Sequence, residues 1–210
     1  MKVGSYKIKT KTLIITGIIV SVGFIMTSVI KSGLQDRYDQ DINSYRSQKD
    51  DFFKTSSDSP IEDQPGFKGL TYFNPDKRYQ VKPVLKLIKD SSSVKIVNND
   101  GEKNKYWRYA EAIFSIQNEV DTLIIYRKAS LKKEDKEYFL PFYDETNGDE
   151  TYAGGRYIDL KIMDTSALII DFNLAFNPYC VYNYRFSCPI PPKENKLDRR
   201  IEAGEKMFMK

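Results

Sequence analysis

The sequence predicts a mainly β domain, an antiparallel sandwich or small barrel, behind one transmembrane helix and a juxtamembrane helix. Three observations carry that expectation. A charge-free apolar run lies near the N-terminus, a charged segment with helical spacing follows it, and then short alternating runs recur with turn residues between them.

The first 11 residues are basic, with Lys2, Lys7, Lys9 and Lys11 and no acid. Without those lysines the chain's acids and bases balance, so its basic pI belongs to the tail. The folded part lacks the net positive field that nucleic acid requires, and no nucleic-acid partner is expected.

Residues 12–30 read TLIITGIIVSVGFIMTSVI, and as a helix they cover roughly 28 Å of hydrocarbon. A cleaved signal peptide has a shorter apolar region and a small-x-small site, whereas this run ends Ser28-Val29-Ile30-Lys31. No cysteine follows to carry a lipid. The expected partner of residues 12–30 is therefore the lipid bilayer, as an uncleaved anchor in the inner (plasma) membrane. Exporting a short tail with four lysines is harder than exporting the domain, so the N-terminus is placed in the cytoplasm and the domain outside.

Residues 31–60 are assigned to a juxtamembrane helix and linker. Tyr38, Ile42, Tyr45, Phe52 and Phe53 recur at mostly helical spacing before Ser59-Pro60 and Pro65-Gly66 break the pattern. The stripe reads as docking on the domain or as a spacer. Residues 61–210 form the β domain, with expected strands at 79–88, 94–97, 105–116, 122–127, 137–143, 156–162 and 167–172. Asn99-Asp100-Gly101 marks a tight hairpin. A short terminal strand is expected around Leu197, Ile201 and Ala203.

The absence of histidine removes Ser-His-Asp and Cys-His catalysis and the commonest metal ligand. No cofactor and no metal site are expected. Asp144, Thr146, Gly148 and Glu150 alternate along one loop, but the match to a calcium-binding EF-hand is poor and Asx turns explain the acids more simply. Cys180 and Cys188 are a disulfide candidate. The alternatives are free thiols or a redox pair, although the pair lacks Cys-x-x-Cys spacing. Closing this nine-residue segment would contribute about 2.6 kcal/mol, and a β-hairpin stapled at its ends is the expected form.

From residue 141 onward, turn-forming, charged and aromatic residues interleave densely. Asp171 follows Ala167, Leu168, Ile169 and Ile170, so its carboxylate sits at the end of a buried strand and needs a partner. Arg156 is the natural one. The pair reads either as structural or as a ligand site in which Arg156 binds an anionic group while Asp171, Asn173 and Asn177 orient it. A hydrolase built on two of Asp144, Glu150, Asp171 and Glu205 is the enzymatic alternative, and a purely structural or interaction module is the third. The protein is read as leaning away from an enzyme.

The runs DETNGDETYAGGRYIDL, DFNLAFNPYCVYNYRFSCPIPPKEN and IEAGEK resemble the signature of the bacterial family called domain of unknown function 1684. Ser59-Pro60-Ile61 and Gly69-Leu70-Thr71-Tyr72-Phe73 fit the same family pattern more loosely. The resemblance covers nearly everything outside the anchor. It implies a bacterial inner membrane for the anchor and no activity. The expectation drawn from the residues is an exported, membrane-tethered β domain that binds a small or cell-envelope ligand.

Overall fold

The computed structural model describes residues 10–89 and 93–209, with the backbone alone for residues 10–18 and Lys133. Residues 1–9 of the basic tail lie outside the described residues. The chain divides into two compact units, Met1–Asp41 and Ile42–Lys210.

A single helix, α1 (Thr10–Thr55), replaces the two helices expected from the sequence. No proline lies within it, so nothing in the local chemistry stops the helix between Ile30 and Lys31. In the first unit Ile19, Val20, Phe24, Ile25 and Ile30 are all exposed. Among the described residues no helix is long and apolar enough to cross a membrane. The side chains of residues 12–18, the first part of the expected anchor, lie outside those described.

The second unit takes in the last turns of α1, from Ile42. Ile42, Arg46 and Phe53 are buried there, and Lys49 is nearly so. Tyr45 and Phe52, which the sequence pattern placed on the same stripe, are 42% and 38% exposed. The buried face follows the spacing i, i+4, i+7, i+11, and it includes two cations that a purely apolar stripe would leave out.

The strands are β1 (Gln80–Val81), β2 (Val84–Leu87), β3 (Ser93–Val97), β4 (Lys103–Ile116), β5 (Glu119–Lys128), β6 (Glu137–Phe142), β7 (Arg156–Lys161) and β8 (Ile170–Asp171). They are mainly antiparallel β, consistent with a sandwich. A sheet of six strands runs β2-β4-β5-β6-β7 with β3 also on β4, and β1 pairs with β8 in a separate ribbon. Lys82-Pro83 splits the run expected as one strand into β1 and β2, because proline has no N–H to give a ladder. Asn98–Gly101 closes the β3–β4 hairpin, with Gly101 at φ +88°. The β4–β5 hairpin turns through Gln117 and Asn118, both at positive φ as a type I′ turn demands.

Strand β5 pairs with β6 only at Tyr126↔Phe139. Where the ladder opens, the fully buried Asn195 takes its place. Its side chain accepts from Ile124 N at 2.8 Å and donates to Ile124 O at 2.9 Å and Pro141 O at 2.7 Å. An inserted side-chain amide thus keeps these buried backbone groups satisfied.

The main core lies between the sheet and the irregular second half of the chain, with Phe114, Leu123, Ile125, Leu140, Phe142, Phe172, Leu197 and Ile201 among its members. That second half contains far less strand than the sequence suggests. The run 167–172 supplies only β8, because Thr165–Ala167 and Phe172–Leu174 wind into 3-10 turns capped by Asp164 and Asp171. No strand forms around Leu197–Ala203. The stapled hairpin expected between Cys180 and Cys188 is likewise a 3-10 turn at Tyr179–Val181 followed by bends, and both thiols are free. The segment after Cys188 runs beside β3, where Ile190 N donates to Val97 O at 2.8 Å. That contact covers part of a strand edge, as the prolines in this segment favour.

Candidate functional site

Arg156 opens β7 opposite Phe142, the last residue of β6. The turn before it needs glycine, since Gly155 has φ +85° and a Cβ there would meet Phe142 O at 2.7 Å. This turn drives the Arg156 side chain inward, where its exposure is 0%. Its Nη2 pairs with Asp144 Oδ2 at 2.6 Å and donates to Ile201 O at 2.9 Å, while Nη1 donates to the carbonyls of Ala203 and Glu205. Burial pulls the guanidinium below its ordinary pKa, and the Asp144 charge opposes that pull.

The partner of Arg156 is therefore Asp144 and not Asp171. The reason is register: with Phe142 facing Arg156, the residue two beyond β6 already sits beside the guanidinium. Asp144 is committed on its other side too. Its Oδ1 accepts from Thr146 N at 3.0 Å and Thr146 Oγ1 at 2.5 Å, and Oδ2 accepts from Ile201 N at 3.1 Å. Thr151 closes the loop through Thr146 at 2.8 Å.

A second buried carboxylate, Glu205, follows Gly204, whose φ of +78° lets the backbone pass Ala175 closely. Glu205 Oε2 accepts from Asn177 N at 2.8 Å and the Tyr182 hydroxyl at 2.5 Å, and Oε1 pairs with Lys49 from α1. The Lys49 ammonium also lies 4.7 Å over the Phe176 ring. Burial first, and the Glu205 charge second, push the Tyr182 phenol well above its ordinary pKa. Arg46 donates to Phe73 O at 2.9 Å and stacks 4.5 Å over Tyr72.

The remaining candidates are similarly engaged. Asp171 caps a 3-10 turn, accepting from Asn173 N at 2.9 Å and Gln80 Nε2 at 3.0 Å. Asn173 exchanges hydrogen bonds with both backbone groups of Asp76, and Asn177 Nδ2 donates to Lys206 O at 2.8 Å. Glu150 lies nearer the surface between Arg200 at 2.6 Å and Lys206 at 3.1 Å, and these hold its carboxyl below the usual range. Asp144, Arg156, Asn173, Asn177 and Glu205 are 0–4% exposed, and none of them is among the residues that line the recesses described. The structure thus distributes the predicted residues over several packed networks, and of them only Asp171 is among the residues lining a described recess, one of about 360 Å³ that it shares with Asp159 and Leu168. A hydrolase needs one carboxylate to give a proton and another facing substrate, and each of these four acids is already held by a cation or an N–H donor.

An open concavity lies elsewhere in the same unit. A recess of about 480 Å³ is lined by Ile61, Glu62, Asp63, Gly66, Phe67, Lys68, Gly69, Tyr182, Phe208 and Met209. Phe67 and Phe208 face each other at 6.4 Å, Tyr182 meets Phe208 edge-on at 5.1 Å, and Phe53 packs beneath against Phe67 and Tyr182. Sequence reasoning missed this group, whose members come from three distant segments. It also missed Arg46 and Lys49, whose helical spacing with Ile42 and Phe53 was the available signal.

The family model described as "Protein of unknown function (DUF1684)" matches residues 65–206. Among solved structures, the chain is similar to the solution NMR structure of an uncharacterised protein of Haloarcula marismortui. The two are 34% identical with a TM-score of 0.63, over 81% of this chain and 95% of that one. No curated protein matches.

Proposed function

The chain belongs to the DUF1684 family of unknown function, and from that premise we propose that it is a membrane-tethered β domain holding a small, largely apolar ligand in the Phe67–Tyr182–Phe208 recess. The observation that carries this reading is the recess itself. Its volume falls within the range of about 300–1,000 Å³ usual for small-molecule sites, and its wall is aromatic with Glu62, Asp63 and Lys68 among the residues that line it. Aromatic walls supply apolar burial, and the charges orient a polar end. The packed Glu205 network adjoins the recess, since Tyr182 belongs to both.

Tethering through residues 12–30, with the N-terminus in the cytoplasm and the domain outside, completes the proposal. It is supported by the uncharged apolar run and by the exposure of Ile19, Phe24, Ile25 and Ile30, side chains that water solvates poorly. Alkaline carbonate extraction checks it: the full chain stays with the membrane pellet, and deletion of residues 12–30 releases it. Full release of the unaltered chain refutes the anchor.

The ligand is tested by thermal shift of the full chain in lipid nanodiscs against aromatic, acyl and amphipathic cationic compounds. A compound at one hundred times its Kd stabilises by about 2.7 kcal/mol, which a melting curve reads directly. The shift should vanish in Phe208→Ala while the unliganded melt stays close to that of the parent. A shift that survives this substitution places the ligand elsewhere.

A further inference from the structure

Cys180 and Cys188 belong neither to the recess nor to the two buried networks, yet the fold holds them against each other. The Cys180 N–H donates to Cys188 Sγ at 3.1 Å. From this geometry we propose that Cys180 and Cys188 form a thiol–disulfide exchange site whose substrates are small-molecule disulfides and thiols.

The two residues are held differently. Cys188 is fixed through its backbone to the turn between β3 and β4, donating to Asn99 Oδ1 at 2.7 Å and accepting from Asn99 N at 2.9 Å. Cys180 sits in the 3-10 turn Tyr179–Val181 and is half-exposed, whereas Cys188 is buried. A small disulfide therefore reaches the pair from the Cys180 side. Donation onto Cys188 Sγ, from the Cys180 thiol and from backbone N–H groups, favours its thiolate and outweighs burial and the nearby Asp100 charge. The Cys180 thiol is pushed up, chiefly by its hydrogen bond to Cys188. The first attack thus falls to Cys188 and the second to Cys180.

The electron balance is simple. The Cys188 thiolate attacks one sulfur of a small disulfide, forming a mixed disulfide and expelling one thiolate. Cys180 loses its proton to solvent, attacks Cys188 Sγ and expels the second thiolate. The protein loses two electrons and two protons, and the small disulfide becomes two thiols. A small thiol in excess runs both steps backward. A bond between these residues can form without bringing distant segments together, because their sulfur and amide atoms already touch.

The experiment equilibrates the full chain in lipid nanodiscs with mixtures of oxidised and reduced glutathione. Acid quenching, maleimide alkylation and intact mass then count the free thiols. Both thiols should disappear together as the mixture becomes oxidising and return when reduced glutathione is added. In Cys180→Ser, Cys188 should accumulate as the glutathione adduct, because the resolving thiol is gone. In Cys188→Ser, Cys180 should react far more slowly. Three outcomes overturn the proposal: thiols alkylated at every ratio, a disulfide that small thiols do not reopen, or cross-linked dimers in place of the internal bond. An unmodified Cys188 in folded Cys180→Ser overturns the assignment of the attacking sulfur. The titration of the unaltered chain decides the main question even if either variant fails to fold.

Discussion

The Arg156 network and the Phe67–Phe208 recess belong to one compact unit and differ in almost every physical respect. The first gathers charged and amide groups, each holding at least one partner and nearly all sealed from water, although Arg156 Nε and Asn177 Oδ1 are buried without one. The second gathers aromatic rings and leaves them around open space. A dense run of polar residues is therefore not by itself a site. Buried polar groups must be satisfied, and the partners that satisfy them use up the atoms a ligand would need. Rings make no such demand, so they can face a cavity at a modest cost and offer it binding area.

The contrast predicts that changes in the network act on stability and changes in the recess act on binding. The largest effect should come from Arg156→Met, which leaves the buried Asp144 carboxylate without its cation and the carbonyls of Ile201, Ala203 and Glu205 without their donor. It is expected to cost about 3–5 kcal/mol in urea unfolding, and replacing Asp144 with leucine as well should recover a good part of that loss. A cost below about 1 kcal/mol would break the comparison, because the network would then be dispensable. Lys49→Met should come next: it removes the cation from Glu205 but leaves the Asn177 and Tyr182 donors in place. A loss of about 2–3 kcal/mol in the same assay is expected, smaller than that for Arg156 because Lys49 is partly exposed and serves one carboxylate, whereas Arg156 is fully buried and also serves the carbonyls of Ile201, Ala203 and Glu205.

The smallest effect belongs to the network's surface. Arg200, and then Lys206, hold the Glu150 carboxyl below its ordinary range, so its folded pKa lies under its unfolded one. A depressed carboxyl contributes stability above the unfolded value of about 4.3, and that contribution is lost as pH falls through the lower folded value. Glu150→Gln should therefore be less stable than the parent at neutral pH, by under about 1 kcal/mol given its exposure. The difference should close on acidification. Melts across that range read it directly, and a gap that widens in acid would reverse the sign.

Much of the sheet was legible in the sequence because its signals are local. Alternating residues marked β3 through β7, and Asp100-Gly101 marked the first hairpin. The second hairpin was harder to see, since Gln117 and Asn118 adopt positive φ without a glycine to announce it. Asp144, Arg156, Asn173, Asn177 and Glu205 were singled out as ligand or hydrolase candidates, and the structure places all five in buried hydrogen-bonded networks. Arg156 was matched to Asp171 on hydrophobic context, whereas the β6–β7 register supplies Asp144 instead. Register is a property of two strands together and cannot be counted along one.

The sequence by itself determined the local elements: helical character near the N-terminus with an uncharged apolar stretch, antiparallel strands and a glycine before Arg156. Each follows from periodicity, charge or a dihedral angle that one residue type permits. Only the tertiary structure decided the rest. Ile42, Arg46, Lys49 and Phe53 proved to be the buried face of α1, Asn195 filled the gap between β5 and β6, and Phe67, Tyr182 and Phe208 met around a recess. Those outcomes depend on which segments distant in the chain come together, and no pattern along the chain encodes that contact directly.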